Sequence, residues 1–222
     1  MAIGYAEPMR GRFITLEGIE GVGKSTQLAN AAAHLRGRGV ELLVTREPGG
    51  TPLAEALRAL VLQPRNEPIA ATAELLMIFA ARASHVAEVI APALGRGCWV
   101  LCDRFTDSTE AYQGAGGGAA VSSIRQLADI AHSGLTPDLT LLLDAPPDLA
   151  RTRVASRGMS LDRFEGEGEA FFMRVRSGYL AIAGREPARV RLIDATHSEP
   201  EVASAIALEL DRLLQTGGGR AS

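Results

Sequence analysis

One glycine-rich segment constrains the fold of this chain more than any other feature. Residues 18–25 carry the pattern Gly-x-x-x-x-Gly-Lys-Ser, which is the spacing of a phosphate-binding loop. The apolar run at 13–16 before it predicts a short buried strand, and the segment 27–38 after it predicts a helix. In this order the loop amides and the helix N-terminus can face one phosphate. The pattern therefore predicts an α/β chain that binds a nucleoside triphosphate.

The residues of this loop have separate predicted roles. Lys24 would supply a cation for the outer phosphates, and the Ser25 hydroxyl would hold Mg²⁺. The glycines let successive N–H groups turn toward one phosphate. We expect nucleotide contacts along the whole loop, at Gly18, Ile19, Glu20, Gly21, Val22, Gly23, Lys24, Ser25 and Thr26.

Apolar runs recur along the chain and predict the strands of one sheet. They lie at 13–17, 40–45, 98–102, 139–143 and 189–193. Helical patterns separate them, and the longest covers 70–95. Strands that alternate with helices are typical of a parallel sheet covered on both faces, as in a P-loop NTPase fold.

The length of 222 residues predicts one substantial domain rather than two. We expect a flexible extension at 1–11, the domain at 12–213 and a flexible tail at 214–222. Within the domain, the stretch 153–169 contains many charged residues and glycines. Such a composition favours a mobile lid, and lids close over phosphates in kinases.

The composition gives no sign of a macromolecular target. A net charge of −3 provides no attraction to nucleic acid or to a membrane surface. No run of about 18 apolar residues predicts a membrane span. Cys98 and Cys102 have no further Cys or His nearby to complete a zinc site, so we expect reduced core thiols. These observations predict a cytoplasmic protein.

A second phosphate-binding feature follows the third predicted strand. Asp103 and Arg104 come directly after the run 98–102. In a parallel sheet, residues just past the carboxyl end of a strand face the ligand crevice. There Asp103 can hold Mg²⁺ through water or accept hydrogen bonds from the loop, and Arg104 can bind a phosphate with two hydrogen bonds.

Four arginines in the predicted lid and in the helix that leads into it indicate phosphoryl transfer rather than binding alone. They are Arg151, Arg153, Arg157 and Arg163. The variable positions of the phosphate loop contain no arginine, so the charge of a transferring phosphoryl group must be met elsewhere. The chain also lacks the Asn-Lys-x-Asp tetrapeptide with which GTPases read guanine.

Five blocks of the sequence resemble the thymidylate kinase family. The resemblance runs from about residue 12 to 213, and its blocks lie at 16–26, 45–51, 80–82, 103–114 and 161–165. Thr-Arg-Glu-Pro-Gly-Gly-Thr at 45–51 and Tyr-Gln-Gly at 112–114 are more specific than the phosphate loop. The resemblance implies a five-stranded parallel sheet with a lid, a homodimer, and transfer of phosphate from ATP with Mg²⁺ to dTMP.

The resemblance also implies roles for single residues in an acceptor pocket. Glu20 would accept a hydrogen bond from the sugar 3′-hydroxyl, and Tyr112 would lie against the 2′ carbon. The phosphate of dTMP would be held by Arg58 and Arg104. The residues that would contact the thymine base are Arg82, Ser108 and Gln113.

Two points of the family pattern remain open in this sequence. The catalytic residues would be Lys24, Arg104 and a lid arginine, which is either Arg153 or Arg157. Some members stack a phenylalanine on thymine four residues before the base-reading arginine, where this chain has Ile78 followed by Phe79. Neighbours on a helix point about 100° apart, so Phe79 cannot simply replace the stacking residue. Either Ile78 forms an aliphatic floor under the base, or the helix is locally shifted so that Phe79 contacts it.

Two alternative functions also stay open. The acceptor could be dUMP or a deoxynucleoside, since thymine and uracil differ by one methyl group and such a difference gives only ~10- to 200-fold discrimination. The chain could also be a switch that senses ATP without transferring phosphate. A second nucleotide pocket argues against the switch, because a switch does not need one.

Overall fold

A five-stranded parallel sheet organises the chain, in the order β2-β3-β1-β4-β5. The structure is a computed structural model that describes residues 10–64, 67–155 and 167–217. The strands are β1 (Phe13–Glu17), β2 (Leu42–Arg46), β3 (Trp99–Asp103), β4 (Leu139–Asp144) and β5 (Val190–Asp194). The predicted α/β fold with five parallel strands is confirmed, with strand bounds shifted by no more than two residues.

Burial separates the central strands from the edge strands. All five residues of β1 are buried, as are five of the six in β4, because both faces of these strands are covered. The edge strand β2 is mostly half-buried. In the pairing register, Leu16 lies opposite Asp103 of β3 and Leu141 of β4. The residues that follow β1 and β3 are therefore brought to the same edge of the sheet.

Helices connect the strands and flank the sheet. Their bounds are α1 (Lys24–Gly37), α2 (Pro52–Leu62), α3 (Ala71–His85), α4 (Ala91–Gly95), α5 (Thr106–Thr109), α6 (Val121–His132), α7 (Pro147–Ala155), α8 (Glu169–Arg185) and α9 (Glu199–Gly217). The helix α2 begins with Pro52, and the Thr51 hydroxyl accepts a hydrogen bond from the Ala54 amide at its N-terminus.

Two π-helical segments interrupt this regular pattern. Val86–Ile90 joins α3 to α4, so the predicted long helix at 70–95 is one continuous helical stretch with a wider turn inside it. Glu110–Gly116 continues α5. Wider turns of this kind often lie at functional sites. The second one carries Tyr112 and Gln113, two of the predicted substrate contacts.

The stretch Ala71–Gly95 reaches the length and hydropathy of a membrane span, with a mean hydropathy of 1.4. It also contains buried Arg82 and His85, which both pair with Glu47, and α3 packs against α2 and α6. A helix with such partners on its faces is a core helix of the domain.

The predicted segment boundaries can be compared with the described residues only in part. Residues 1–9, 156–166 and 218–222 lie outside them, and these include most of the expected extension and lid. The helix α9 extends to Gly217, four residues past the predicted domain boundary at 213. Cys98 and Cys102 are both buried and unpaired, as expected of core thiols.

The close packing of α8 on the Glu110–Gly116 turn depends on a glycine. A β-carbon at Gly178 would lie 2.7 Å from the Ala115 side chain, whereas nothing lies within 4 Å of one at Gly184 on the same helix. We expect Gly178→Ala to lower the free energy of unfolding by about 1–3 kcal/mol through overpacking. Gly184→Ala should raise it by up to about 1 kcal/mol, because alanine favours helix. Urea denaturation measures both, and equal effects would contradict the packing argument.

Candidate functional site

The phosphate loop joins the end of β1 to the start of α1. Its backbone turns through left-handed conformations at Gly18 and Gly21, with φ of +136° and +82°. A β-carbon at these positions would lie 2.4 Å from the Leu143 carbonyl oxygen and 2.1 Å from that of Ala150. Glycine is therefore required at both positions, for conformation and for close approach to β4 and α7.

The side chain of Lys24 folds back onto the loop. Its Nζ donates to the carbonyls of Gly18 at 3.1 Å and Ile19 at 3.0 Å. Burial, together with the nearby charge of Arg104, lowers the pKa of Lys24 to about 8. An anionic phosphate on the loop would offer this ammonium a better partner than the two carbonyls.

The guanidinium of Arg104 connects the loop to the pocket beside it. Arg104 has a φ of +72°, which is uncommon for a residue with a side chain. Its terminal nitrogens donate, over 2.6–3.2 Å, to the Gly18 carbonyl, the Glu20 carboxylate and the hydroxyls of Ser108, Tyr112 and Tyr179. Burial alone would raise the pKa of Glu20, but the charges of Arg104 and Lys24 hold it below its usual value.

A second buried carboxylate lies behind Arg104. Glu17, at the end of β1, accepts hydrogen bonds from the Phe105 amide at 2.7 Å, the Ser108 hydroxyl at 2.5 Å and the Tyr179 hydroxyl at 3.0 Å. Burial raises the pKa of Glu17 to about 7, and the charge of Asp107 adds to this effect. The sequence predicted no role for Glu17 or Tyr179. The position of Glu17 as the last residue of a predicted strand was the available signal.

An open pocket of about 580 Å³ lies beside Arg104. Eight predicted substrate contacts line it: Glu20, Arg58, Ile78, Arg82, Arg104, Ser108, Tyr112 and Gln113. Lining residues that were not predicted include Glu47, Pro48, Val61, Leu62, Phe105 and Thr109. Arg58 is held at the pocket by donation from Nη1 to the Pro48 carbonyl at 2.9 Å.

Arg82 is fixed in this pocket by two partners. Its Nε donates to Glu47 at 2.6 Å, and Nη2 donates to the Thr109 hydroxyl at 3.1 Å. Among the described residues, nothing accepts a hydrogen bond from the buried Nη1. An unsatisfied buried donor costs free energy, so Nη1 is suited to an acceptor atom of a ligand. Glu47 belongs to the block at 45–51, which was the available signal for its role.

The two candidates for the base contact are neighbours on α3 and point in different directions. Ile78 lines the pocket, whereas Phe79 does not. Phe79 packs with Leu75, Ile124 and Ala128 in a small buried cluster, and its ring lies 4.8 Å from the Arg82 guanidinium carbon. The angle of about 100° between neighbours explains why only one of the two side chains faces the pocket.

The two predicted metal ligands fit an oxygen-bound cation. The Asp103 Oδ1 atom is buried without a hydrogen-bond partner among the described residues, and Ser25 is exposed in the first turn of α1. Mg²⁺ takes oxygen ligands and usually binds proteins through one or two groups together with substrate phosphates. The described ranges contain no group of three acidic, His or Cys residues that could hold a metal without such phosphates.

A second cleft, of about 650 Å³, lies on another side of the phosphate loop. It is lined by loop residues, by α7 and by the segment after β5, with Arg153, Ala195 and His197 among its walls. Arg153 Nη1 donates to the Ala195 carbonyl at 2.9 Å. The other lid candidate, Arg157, lies outside the described residues, as does Arg163.

The site thus has an anion-binding loop in the middle and an opening on two sides. The pocket at Arg104 combines cationic and apolar walls, and the cleft at Arg153 lies next to the start of α1. One ligand with several phosphates can lie on the loop while a second ligand occupies the pocket. Glu20 belongs to the loop and pairs with Arg104 in the wall of the pocket, so these two side chains lie between the loop and the second ligand.

Comparisons with known proteins agree on one family. A model of the thymidylate kinase family matches residues 16–206. A thymidylate kinase from Pseudomonas syringae pv. tomato is 54% identical over 211 residues, which is 95% of this chain and all of that protein. One from Chromohalobacter salexigens is 55% identical over 205 residues, or 92% and 97% of the two chains. The crystal structure of the Ehrlichia chaffeensis thymidylate kinase aligns with a TM-score of 0.71 and 34% identity, covering 92% of this chain and 99% of that one.

Glu17 predicts a measurable pH dependence of stability. Its pKa of about 7 exceeds the ordinary glutamate value of 4.5, so the folded state binds this proton more tightly than the unfolded state. The resulting stabilisation is complete below about pH 4.5 and is lost as the pH rises to about 7; it amounts to about 3 kcal/mol. Glu17→Gln should remove this fall in the free energy of unfolding between about pH 4.5 and 7, whereas the exposed Glu41→Gln should not. Parallel curves for wild type and Glu17→Gln would contradict the assignment.

Proposed function

This chain belongs to the thymidylate kinase family, and from that premise we propose that it transfers the γ-phosphate of ATP to dTMP, giving ADP and dTDP. The observation that carries the proposal is the pair of openings beside one phosphate loop: Glu20 and Arg104 line one, and Gly21, Val22 and Gly23 of the same loop line the other. A phosphotransferase with a nucleotide acceptor needs two such sites.

On the donor side, the ATP phosphates lie along residues 18–26 with Lys24 at the outer phosphates. The adenosine part extends into the cleft beside Arg153, Ala195 and His197. Ser25 and Asp103 would hold Mg²⁺, and the cation would neutralise charge on the β- and γ-phosphates. The unpartnered Asp103 oxygen supports this role.

On the acceptor side, Arg58 and Arg104 bind the dTMP phosphate, and Glu20 accepts a hydrogen bond from the 3′-hydroxyl. Tyr112 occupies the space that a ribose 2′-hydroxyl would need. The base lies against Ile78 and receives a hydrogen bond from the unpartnered Nη1 of Arg82. Ser108 and Gln113 complete its surroundings.

The reaction is a direct in-line transfer. A phosphate oxygen of dTMP, already ionised near neutral pH, attacks the γ-phosphorus, and the bond from that phosphorus to the β,γ-bridging oxygen breaks. The electron pair of that bond leaves on ADP. Placement of the two nucleotides and neutralisation of charge by Lys24 and Arg104 provide most of the rate enhancement. A lid arginine, Arg153 or Arg157, supplies further positive charge at the transferring phosphoryl group. The bond from Arg153 to Ala195 supports a role for Arg153 in donor binding.

We also propose a cytoplasmic homodimer of single-domain subunits. Exposed leucines on two neighbouring helices support the dimer: Leu53 and Leu60 on α2 and Leu76 on α3 are each about half exposed. The helices α2 and α3 pack on each other, so these leucines lie on neighbouring elements. Apolar surfaces of this kind are typical of subunit contacts.

A release assay for ADP with a panel of acceptors tests the proposed function. We expect dTMP to be fastest, dUMP to follow because it lacks only a methyl group, and UMP to be slow because of Tyr112. Thymidine should be inactive, since it brings no phosphate to Arg58 and Arg104. If no acceptor stimulates ADP release although ATP binds, the chain is a nucleotide-dependent switch and the proposal is wrong.

Lys24 provides a prediction for catalysis. Lys24→Ala should lower kcat by ~10²- to 10³-fold, the loss typical for one charged donor in a transition state. The melting temperature should change far less than kcat, because the hydrogen bonds of the Lys24 ammonium within the described residues go to two loop carbonyls. Arg212→Ala, which removes an exposed cation on α9, is the matched control and should leave kcat unchanged. Near-normal turnover in Lys24→Ala would refute the assignment.

A further inference from the structure

The hydrogen-bonding groups that the pocket offers to a base depend on the orientation of one side-chain amide. Gln113 lines the pocket from the Glu110–Gly116 turn. Its amide has a donor end and an acceptor end of nearly equal size. A glutamine free to rotate could offer either end to a ligand, and would then distinguish poorly between bases with opposite hydrogen-bonding edges.

The carboxylate of Glu74 fixes the orientation of the Gln113 amide. The Gln113 Nε2 atom donates to the Glu74 carboxylate at 2.8 Å, and both side chains are buried. Glu74 is not among the residues that line the pocket, so it lies behind the wall that Gln113 forms. An ionised carboxylate can only accept hydrogen bonds. Rotation of the Gln113 amide would place two acceptors against each other, which leaves the buried oxygens unsatisfied.

The pocket therefore presents a donor and an acceptor that are both fixed. The donor is Nη1 of Arg82, whose other nitrogens are held by Glu47 and Thr109. The acceptor is Oε1 of Gln113. Thymine and uracil carry a carbonyl oxygen next to a ring N–H, which complements this pair. Cytosine carries an amino group next to a ring nitrogen without a hydrogen. Its amino group would place a donor against the donor Nη1 of Arg82, and its ring nitrogen would place an acceptor against the acceptor Oε1 of Gln113.

We propose that Glu74 is a positioning residue that sets the polarity of the Gln113 amide and thereby selects pyrimidine imides over cytosine as the acceptor base. This inference rests on the proposed function, because it assigns the Arg104 pocket to the acceptor nucleotide. It adds a residue that does not touch the substrate, and it explains specificity through a hydrogen bond formed before the substrate arrives.

The substitution Glu74→Gln tests this role while keeping the shape of the side chain. A glutamine at this position can donate or accept, so it allows either orientation of Gln113. We expect the ratio of kcat/KM for dTMP to that for dCMP to fall at least ~10-fold, which corresponds to about one net hydrogen bond. The ratio of dTMP to dUMP should stay constant, because these two bases share the imide edge. The control Glu88→Gln makes the same change of charge on an exposed side chain and should alter neither ratio.

A structural role for Glu74 would give a different result. It would lower kcat/KM for all three acceptors in proportion, together with the melting temperature, and that outcome overturns the inference. Gln113→Ala provides a second test if Glu74→Gln folds poorly: it should reduce the same dTMP-to-dCMP ratio, and an unchanged ratio overturns the inference as well. In the double variant the two losses should not add, since both act through one amide. Failure of the wild-type protein to use dTMP would instead refute the proposed function.

Discussion

The hydrogen bonds of the half-buried Arg104 guanidinium are the interactions on which the rest of the site depends. It links three parts of the chain: the phosphate loop through Gly18 and Glu20, the turn after α5 through Tyr112, and α8 through Tyr179. This position follows from the register of the sheet, in which the ends of β1 and β3 lie side by side. A left-handed backbone at Arg104 then turns its side chain back toward the loop.

The charged groups around Arg104 are costly to bury, and each has hydrogen-bond partners within the protein. Glu20 pairs with Arg104, Lys24 donates to loop carbonyls, and Glu17 accepts three hydrogen bonds. Removing Arg104 would leave the Glu20 carboxylate without its ion-pair partner. Phosphate groups would draw donors such as Lys24 from neutral carbonyls to anionic oxygens.

Local patterns in the sequence predicted the sheet and the phosphate loop, because those features depend on spacing within short segments, whereas most of the pocket residues were predicted from the resemblance to the thymidylate kinase family. The long-range partners could not be predicted in this way. Glu17 and Tyr179 are 162 positions apart, Glu74 and Gln113 are 39 apart, and Glu47 and Arg82 are 35 apart. A single glutamate in a helix gives no signal of such a partner. Ile78 rather than Phe79 faces the pocket because of the way α3 is rotated about its own axis. Tertiary packing determines that rotation.

The proposed phosphoryl transfer requires two separate nucleotide sites beside one phosphate loop. Calorimetric titration of dTMP tests this requirement most directly, first with the protein alone and then with the protein saturated by a non-hydrolysable ATP analogue. We expect one dTMP per chain in both titrations, because the pocket and the cleft have different walls. Loss of dTMP binding when the analogue is present, or no binding of dTMP in either titration, would contradict it.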